Sequence, residues 1–291
     1  MKRHSFILIT AILLFVSGYG QSKSFKKIAS ELNTLTEYYN SLSPFDHGYF
    51  SLKEHGITAK EMATTDHDFS AEKDSVDVST LQQYYQLKIE EKLKQLIQHK
   101  EFGKYDLKRL ITIDFIKSAD NNLYNFVYDE NTGGTYRSRV SYVYFKGQKE
   151  DPAEDFYDYD GYGSVEIIKT KTGTKYLLEG SVMGCGTCWG QYIKLVYYNN
   201  GIAVEDFSYK LITQTPEESY IEYDAHKNII TVQYITDDFR SYCYCNESDK
   251  NEMPDNNNTE GETLKRKCSC VYKFDGNTFI LNQHDDVPLK Y

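Results

Sequence analysis

Apolar residues recur three or four positions apart at two places in the first third of the chain. Phe25, Ile28, Leu32, Leu35, Tyr39 and Leu42 lay one stripe along a helix over 22–42. Leu81, Tyr85, Ile89, Leu93 and Leu96 do the same over 78–99, where Ser79 and Gln82 have the spacing of a capping box and Gly103 lies beyond the end. Both stripes face charged residues on the opposite side, the pattern of a helix packed on one flank. Between them, 44–77 is mixed and polar, and the sequence predicts one short helix over 58–62.

After Lys108 the period changes from 3.6 to 2, with Ile111, Ile113 and Phe115 on one face of a strand and Thr112 and Asp114 on the other. Further strands are predicted at 123–128, 136–145, 165–170, 175–179, 192–198, 202–211, 220–223, 229–236, 242–245 and 270–281. Gly133-Gly134, Asn199-Asn200-Gly201, the bend 224–228 and Asp275-Gly276, the last in type I′ spacing, separate several of them at hairpin length. No helical crossover interrupts this half, so the sheets are expected to be antiparallel. The fold class is therefore α+β, mainly β: an antiparallel meander, as a sandwich, barrel or propeller-like sheet, preceded by two amphipathic helices. No internal repeat marks it as a propeller. Expected boundaries are 1–20 for a leader, 21–106 for the helical region and 107–291 for the β domain, with a polar loop at 246–267.

The leader changes the picture most. Lys2 and Arg3 precede an apolar run from Phe6 to Val16, and Ser17, Gly18 and Gly20 lead into Gln21. That is the pattern of a secretory signal peptide cut after Gly20, with the periplasm or the exterior as destination. The run is too short to span a bilayer, and no later stretch reaches the roughly 20 apolar residues a membrane helix needs, so no span is expected in the mature chain. Of 291 residues, 33 are Lys or Arg and 43 are Asp or Glu. Loss of Lys2 and Arg3 with the leader moves the net charge from −10 to −12. An acidic excess of that size argues against nucleic acid as a partner, because phosphates are held by clustered cations.

Six cysteines in an exported chain imply disulfides. They fall as Cys185-x-x-Cys188, Cys243-x-Cys245 and Cys268-x-Cys270. If the two Cys-x-Cys segments pair as antiparallel strands, Cys243 faces Cys270 and Cys245 faces Cys268, a ladder closing the polar loop at its neck. A zinc site on four thiolates is the alternative. For Cys185 and Cys188 the expectation is a local disulfide in a glycine-rich turn.

The segment Met183-Gly184-Cys185-Gly186-Thr187-Cys188-Trp189-Gly190 resembles the Cys-Gly-Ser/Ala-Cys-Trp signature of papain-type cysteine proteases, which implies Cys188 as nucleophile with His226 or His284 as base. It departs from that family at Thr187, and Val182 stands where the family has its oxyanion glutamine. The same segment is similar to the Met-x-Cys-x-x-Cys loop of small copper-carrying domains, which implies Cys185 and Cys188 as Cu(I) ligands. It also matches the spacing of thioredoxin-like redox motifs. All three families run from this loop into a helix, whereas here a strand is predicted.

Asp155, Asp158 and Asp160, beside Gly161 and Gly163, are candidate calcium ligands. The string resembles the Asp-rich loops of β-propeller blades and EF-hands, but Phe156 breaks the alternation and Ile167 stands where an EF-hand closes with Glu. Asp46, His47, His55, Asp66, His67 and Asp68 form a looser set with no His-Glu-x-x-His spacing. No Gly-x-Ser-x-Gly elbow, phosphate-binding loop or dinucleotide fingerprint is present. The chain has 27 tyrosines. A patch around Tyr157, Tyr159 and Tyr162 is the candidate partner surface, since such rings give contact area at low entropy cost.

The expected function is non-catalytic binding of a protein or glycan in the cell envelope, including an inhibitor or immunity-type role. Two alternatives stand beside it: a secreted hydrolase using a cysteine or carboxylates, and a metal-binding protein for calcium, copper or zinc.

Overall fold

The computed structural model describes residues 24–65, 74–131, 133, 138–148, 157–158, 161–184, 187–236, 243–245 and 265–289, with backbone alone at Tyr157 and Asp158. The expected leader and its cut after Gly20 lie outside these residues. The chain divides into two compact units, with the break between Asp114 and Phe115.

The first unit is helical. Helix α1 (24–41) buries Phe25, Ala29, Leu32, Thr36 and Tyr39 as one stripe. Strand β1 (Phe50–Ser51) pairs antiparallel with β2 (Ser75–Val76), and between them lies α2 (Ala59–Thr65). Helix α3 (Val78–Gln98) buries Leu81, Tyr85, Ile89, Leu93 and Leu96, the stripe read from the sequence. Its cap is Asp77, whose carboxylate accepts from the Thr80 N–H at 2.8 Å, rather than the expected Ser79. The capping box is at Thr58 and Glu61 instead: Thr58 N–H donates to the Glu61 carboxylate at 2.9 Å and Glu61 N–H to Thr58 Oγ1 at 3.2 Å. Lys92 of α3 pairs with Glu31 of α1 at 2.6 Å. Asn33 holds the next segment on α1, donating to the Leu110 carbonyl at 2.8 Å and accepting from the Thr112 N–H at 2.9 Å. Ile111 and Ile113 are therefore buried outside any strand, and regular β structure begins at Asp114.

The second unit is mainly β and antiparallel. Its strands form three successive four-stranded sheets, each of chain neighbours. The first holds β3 (Asp114–Lys117), β4 (Leu123–Asp129), β5 (Arg139–Phe145) and β6 (Tyr157–Asp158). The second holds β7 (Tyr162–Lys169), β8 (Thr174–Met183), β9 (Trp189–Asn199) and β10 (Ile202–Thr213). The third holds β11 (Tyr220–Asp224), β12 (Ile229–Ile235), β13 (Arg266–Phe274) and β14 (Phe279–Pro288).

Period-two alternation explains how they pack. On β8, Tyr176 and Leu178 join Leu123, Val143 and Phe145 of the first sheet in one core. Leu177, between them, points the other way and joins Ile230, Val232 and Tyr272 of the third sheet in a second core. The middle sheet is thus covered on both faces, and its central strands β8 and β9 bury apolar residues on both. Lys175 fastens one end of this stack: it pairs with Asp206, the extra residue of the bulge in β10, donates to the Asn277 side-chain carbonyl at 3.0 Å, and lies 4.7 Å from the centre of the Tyr197 ring.

The turns follow local chemistry. Asn200 and Gly201 both adopt positive φ and close the β9–β10 hairpin as expected. At Asp275-Gly276 the expected two-residue type I′ turn is not formed, because Asp275 caps a four-residue connection, accepting from the N–H groups of Asn277 at 2.7 Å and Thr278 at 2.9 Å. The predicted strand 270–281 is accordingly two strands, β13 and β14.

The disulfides differ from the expected ladder. Cys243 is bonded to Cys268 and Cys245 to Cys270, with Cα–Cα separations of 5.4 and 5.6 Å. The reason is that β13 is paired along both edges, to β12 and to β14, so no edge is left for a Cys243–Cys245 strand. The segment crosses the inner face instead, in the same sense as β13. Three tyrosines hold it there: Tyr209 and Tyr234 donate to the Tyr244 carbonyl at 3.1 and 3.3 Å, and Tyr272 donates to the Cys245 carbonyl. Most of the polar loop that these bonds close, 246–264, lies outside the described residues.

Candidate functional site

At one end of the second unit, the starts of β5, β7, β9 and β11 and the last third of β8 converge around a slot of about 370 Å³. That volume suits a small ligand or one or two sugar rings.

Glycines build its floor. A Cβ on Gly180 would come within 2.5 Å of the Gly161 carbonyl oxygen, and a Cβ on Gly161 within 2.6 Å of the Arg139 side chain, so both positions must be glycine for these strands to approach. The start of β7 is fixed from the first sheet. Ser141 Oγ accepts from the Tyr162 N–H at 3.1 Å, and Asn125, fully buried, donates from its amide to the Tyr162 carbonyl at 3.2 Å and to Ser141 Oγ at 3.3 Å.

The walls are polar where a core face would continue apolar. On the side of β8 and β9 that faces the third sheet, Leu177 and Leu195 give way to Glu179 and Ile193, then to Ser181 and Gln191, then to Met183 and Trp189. Gln191 Oε1 accepts from the Ile221 N–H at 2.6 Å, which ties the slot to the third sheet. Ser164 and Tyr192 complete the lining. Trp189 is 36% exposed and, two residues along β9 from Gln191, lies roughly 7 Å from it on the same face.

Two charges stand in the slot. Burial raises the Glu179 carboxyl above its ordinary range, and the charge of Glu166 on β7 adds to the effect. Tyr223 on β11 is raised too, by burial and then by Glu166 and Glu179, which places all three groups close together. Arg139 lines the opposite side, with no carboxylate within ion-pair distance among the described residues.

The residues singled out in the sequence lie elsewhere. Cys188 is disulfide-bonded, and no described cysteine is free. A sulfur so bonded is no thiolate, which removes the papain-type nucleophile and the copper ligand in this state. The strand β9 follows where all three resembled families need a helix. Cys185, the expected partner, lies outside the described residues, as do Asp155, Asp160 and Tyr159; of Asp158 and Tyr157 only backbone is described, in β6. Tyr162, expected on a binding surface, is 2% exposed in the core between the first and second sheets. His55 is bonded to the Tyr85 hydroxyl at 3.0 Å and Asp46 accepts from the Ser43 N–H, while Asp66, His67 and Asp68 lie outside the described residues. Among the described residues no group of three or more His, Cys, Asp or Glu is placed to hold a metal ion.

The slot residues Arg139, Glu179, Ser181 and Gln191 carry no motif. Their one signal in sequence is a strand whose buried face turns polar, Leu177-x-Glu179-x-Ser181. Comparison with protein-family models, curated proteins and solved structures gives no match to this chain.

Proposed function

We propose that the chain is an exported, disulfide-stabilised binding protein of the cell envelope that takes a glycan in this slot. The observation that carries the reading is the composition of the lining: a guanidinium, a carboxyl, an amide and hydroxyls on a rigid glycine floor, with a half-exposed tryptophan on the same strand face. Sugar rings are recognised by that combination, polar side chains for the hydroxyls and an aromatic face for the C–H surface. The two disulfides on the third sheet and the absence of any described helix long and apolar enough to cross a membrane are compatible with an extracytoplasmic site of action. The test is calorimetric titration of the purified mature chain with oligosaccharides from envelope and extracellular polysaccharides. Binding that Trp189→Ala weakens by about tenfold or more is the expected result. A panel in which nothing binds, or binding that Trp189→Ala leaves intact, overturns the reading.

One observation favours a second reading, a carboxylate-dependent glycan hydrolase. Glu179, held toward its neutral form, has the property of a general acid, and Glu166 supplies a second carboxylate nearby. Release of new reducing ends from a bound oligosaccharide, abolished by Glu179→Gln, is its signature; bound glycans that stay uncut exclude it.

A further inference from the structure

Resting on the glycan reading, we infer that the ligand is an acidic glycan of the uronic-acid class, with its carboxylate seated on Arg139. The chain carries a net charge of −10, so an anionic ligand needs a local cation to be held. Among the slot residues Arg139 is the one cation and Glu179 the one acid. Four other cations of the second unit are paired with carboxylates: Lys175 with Asp206, Lys194 with Glu205, Lys227 with Asp224 and Arg266 with Asp286. Arg139 has no such partner among the described residues, so its donor fork is open to a carboxylate, which it can take in bidentate fashion.

Its seat is built. The aliphatic stem of Arg139 lies where a Cβ on Gly161 would stand, 2.6 Å from its Cβ and 2.7 Å from its Cδ. Gly161 in turn is held against Gly180, and the following residue, Tyr162, is hydrogen-bonded to Ser141 and Asn125. The stem therefore loses little freedom when the head group is engaged.

The acid in the slot is placed so that it need not repel such a ligand. Glu179 lies near Glu166 of β7 and Tyr223 of β11, with Arg139 of β5 across the slot, and its half-buried position shifts it toward the protonated form. In its protonated form Glu179 can donate to a ligand oxygen while Arg139 takes the charge. Affinity for an acidic glycan thus rises as pH falls through the Glu179 titration, down to the pH at which the ligand's own carboxylate protonates.

The experiment titrates the mature chain with an oligogalacturonate and with its methyl ester, which has the same rings and no charge. The free acid is expected to bind at least about tenfold more tightly than the ester. Arg139→Met keeps the stem and removes the fork; it should lose that factor for the acid and change nothing for the ester, with Arg139→Lys between. Glu179→Gln should bind the acid at least as well at neutral pH and flatten the pH dependence. Equal affinity for acid and ester, or acid binding untouched by Arg139→Met, overturns the inference. If Arg139→Met does not fold, the ester comparison and Glu179→Gln decide alone. Neutral glycans that bind through Trp189 while Arg139→Met has no effect sink this inference and leave the binding reading standing; no glycan of either kind sinks both.

Discussion

The two disulfides on the face of the third sheet make a prediction with a number attached. Each joins cysteines 25 residues apart, and the second starts and ends two residues after the first. In the chain-entropy model the first bond to form closes a loop of about 25 residues and stabilises by about 3.5 kcal/mol. Once it is made, the other closes only the small ring running 243–245 and 268–270, about six residues, worth about 2 kcal/mol. Cys243→Ala with Cys268→Ala, or Cys245→Ala with Cys270→Ala, should each cost about 2 kcal/mol, and all four together about 5–6 kcal/mol. Alanine avoids burying a hydroxyl at Cys245, Cys268 and Cys270, all of which are buried. At roughly 2–4 °C per kcal/mol for a unit of this size, either pair should lower Tm by about 4–8 °C and the quadruple variant by about 10–24 °C. Urea unfolding followed by circular dichroism gives the free energies. The mismatched variant Cys243→Ala with Cys270→Ala is the control for pairing, because it strands Cys245 and Cys268, which should titrate as two thiols. A single-pair variant as unstable as the quadruple one, or a mismatched variant with no free thiol, refutes the shared-loop reasoning.

Two further outcomes follow from the slot. Gly180→Ala sets a methyl 2.5 Å from a backbone carbonyl that cannot swing away, so thermal unfolding should show a loss of about 1–3 kcal/mol, while Gly163→Ala, with nothing within 4 Å, should stay within about 0.5 kcal/mol of the parent; equal stability of the two would contradict the tight floor. Glu179 has a raised carboxyl pKa in the folded chain, so its contribution is fully present below the unfolded value and is lost as pH rises through the folded one. Glu179→Gln should therefore melt higher than the parent at pH 7–8 and level with it near pH 4, and a variant that is less stable at pH 8 than at pH 4 relative to the parent counts against the assignment.

Much of the fold was legible because its signals are local. The stripe Leu81, Tyr85, Ile89, Leu93 and Leu96 is a helix in sequence and in space, since one turn of periodicity needs no distant partner. Asn200-Gly201 closes its hairpin for the same reason: only residues tolerant of positive φ fit there. What failed depended on neighbours. Ile111 and Ile113 alternate like a strand, but Asn33 on α1 takes the backbone groups around them. Cys243-x-Cys245 alternates too, yet the edges of β13 it would have joined are already occupied. Tyr162 reads as surface beside an acidic stretch and is core because two sheets meet over it. The three sheets share a four-stranded plan without a sequence repeat, because each meander is specified by its own turns and alternation.

The sequence by itself determined the helices, most strands and the antiparallel sense, all properties of neighbours along the chain. Only the tertiary structure decided which cysteines join, which tyrosines are buried and where a slot opens. Arg139, Glu179 and Gln191 come from three strands and Gly161 from the residue before a fourth, and nothing in their spacing relates them. They meet because glycines let β5, β7 and β8 approach and because the face of β8 and β9 turns polar beyond the core. Contacts between strands far apart in sequence leave no local pattern, which is the physical reason that a site of this kind is read in space and not along the chain.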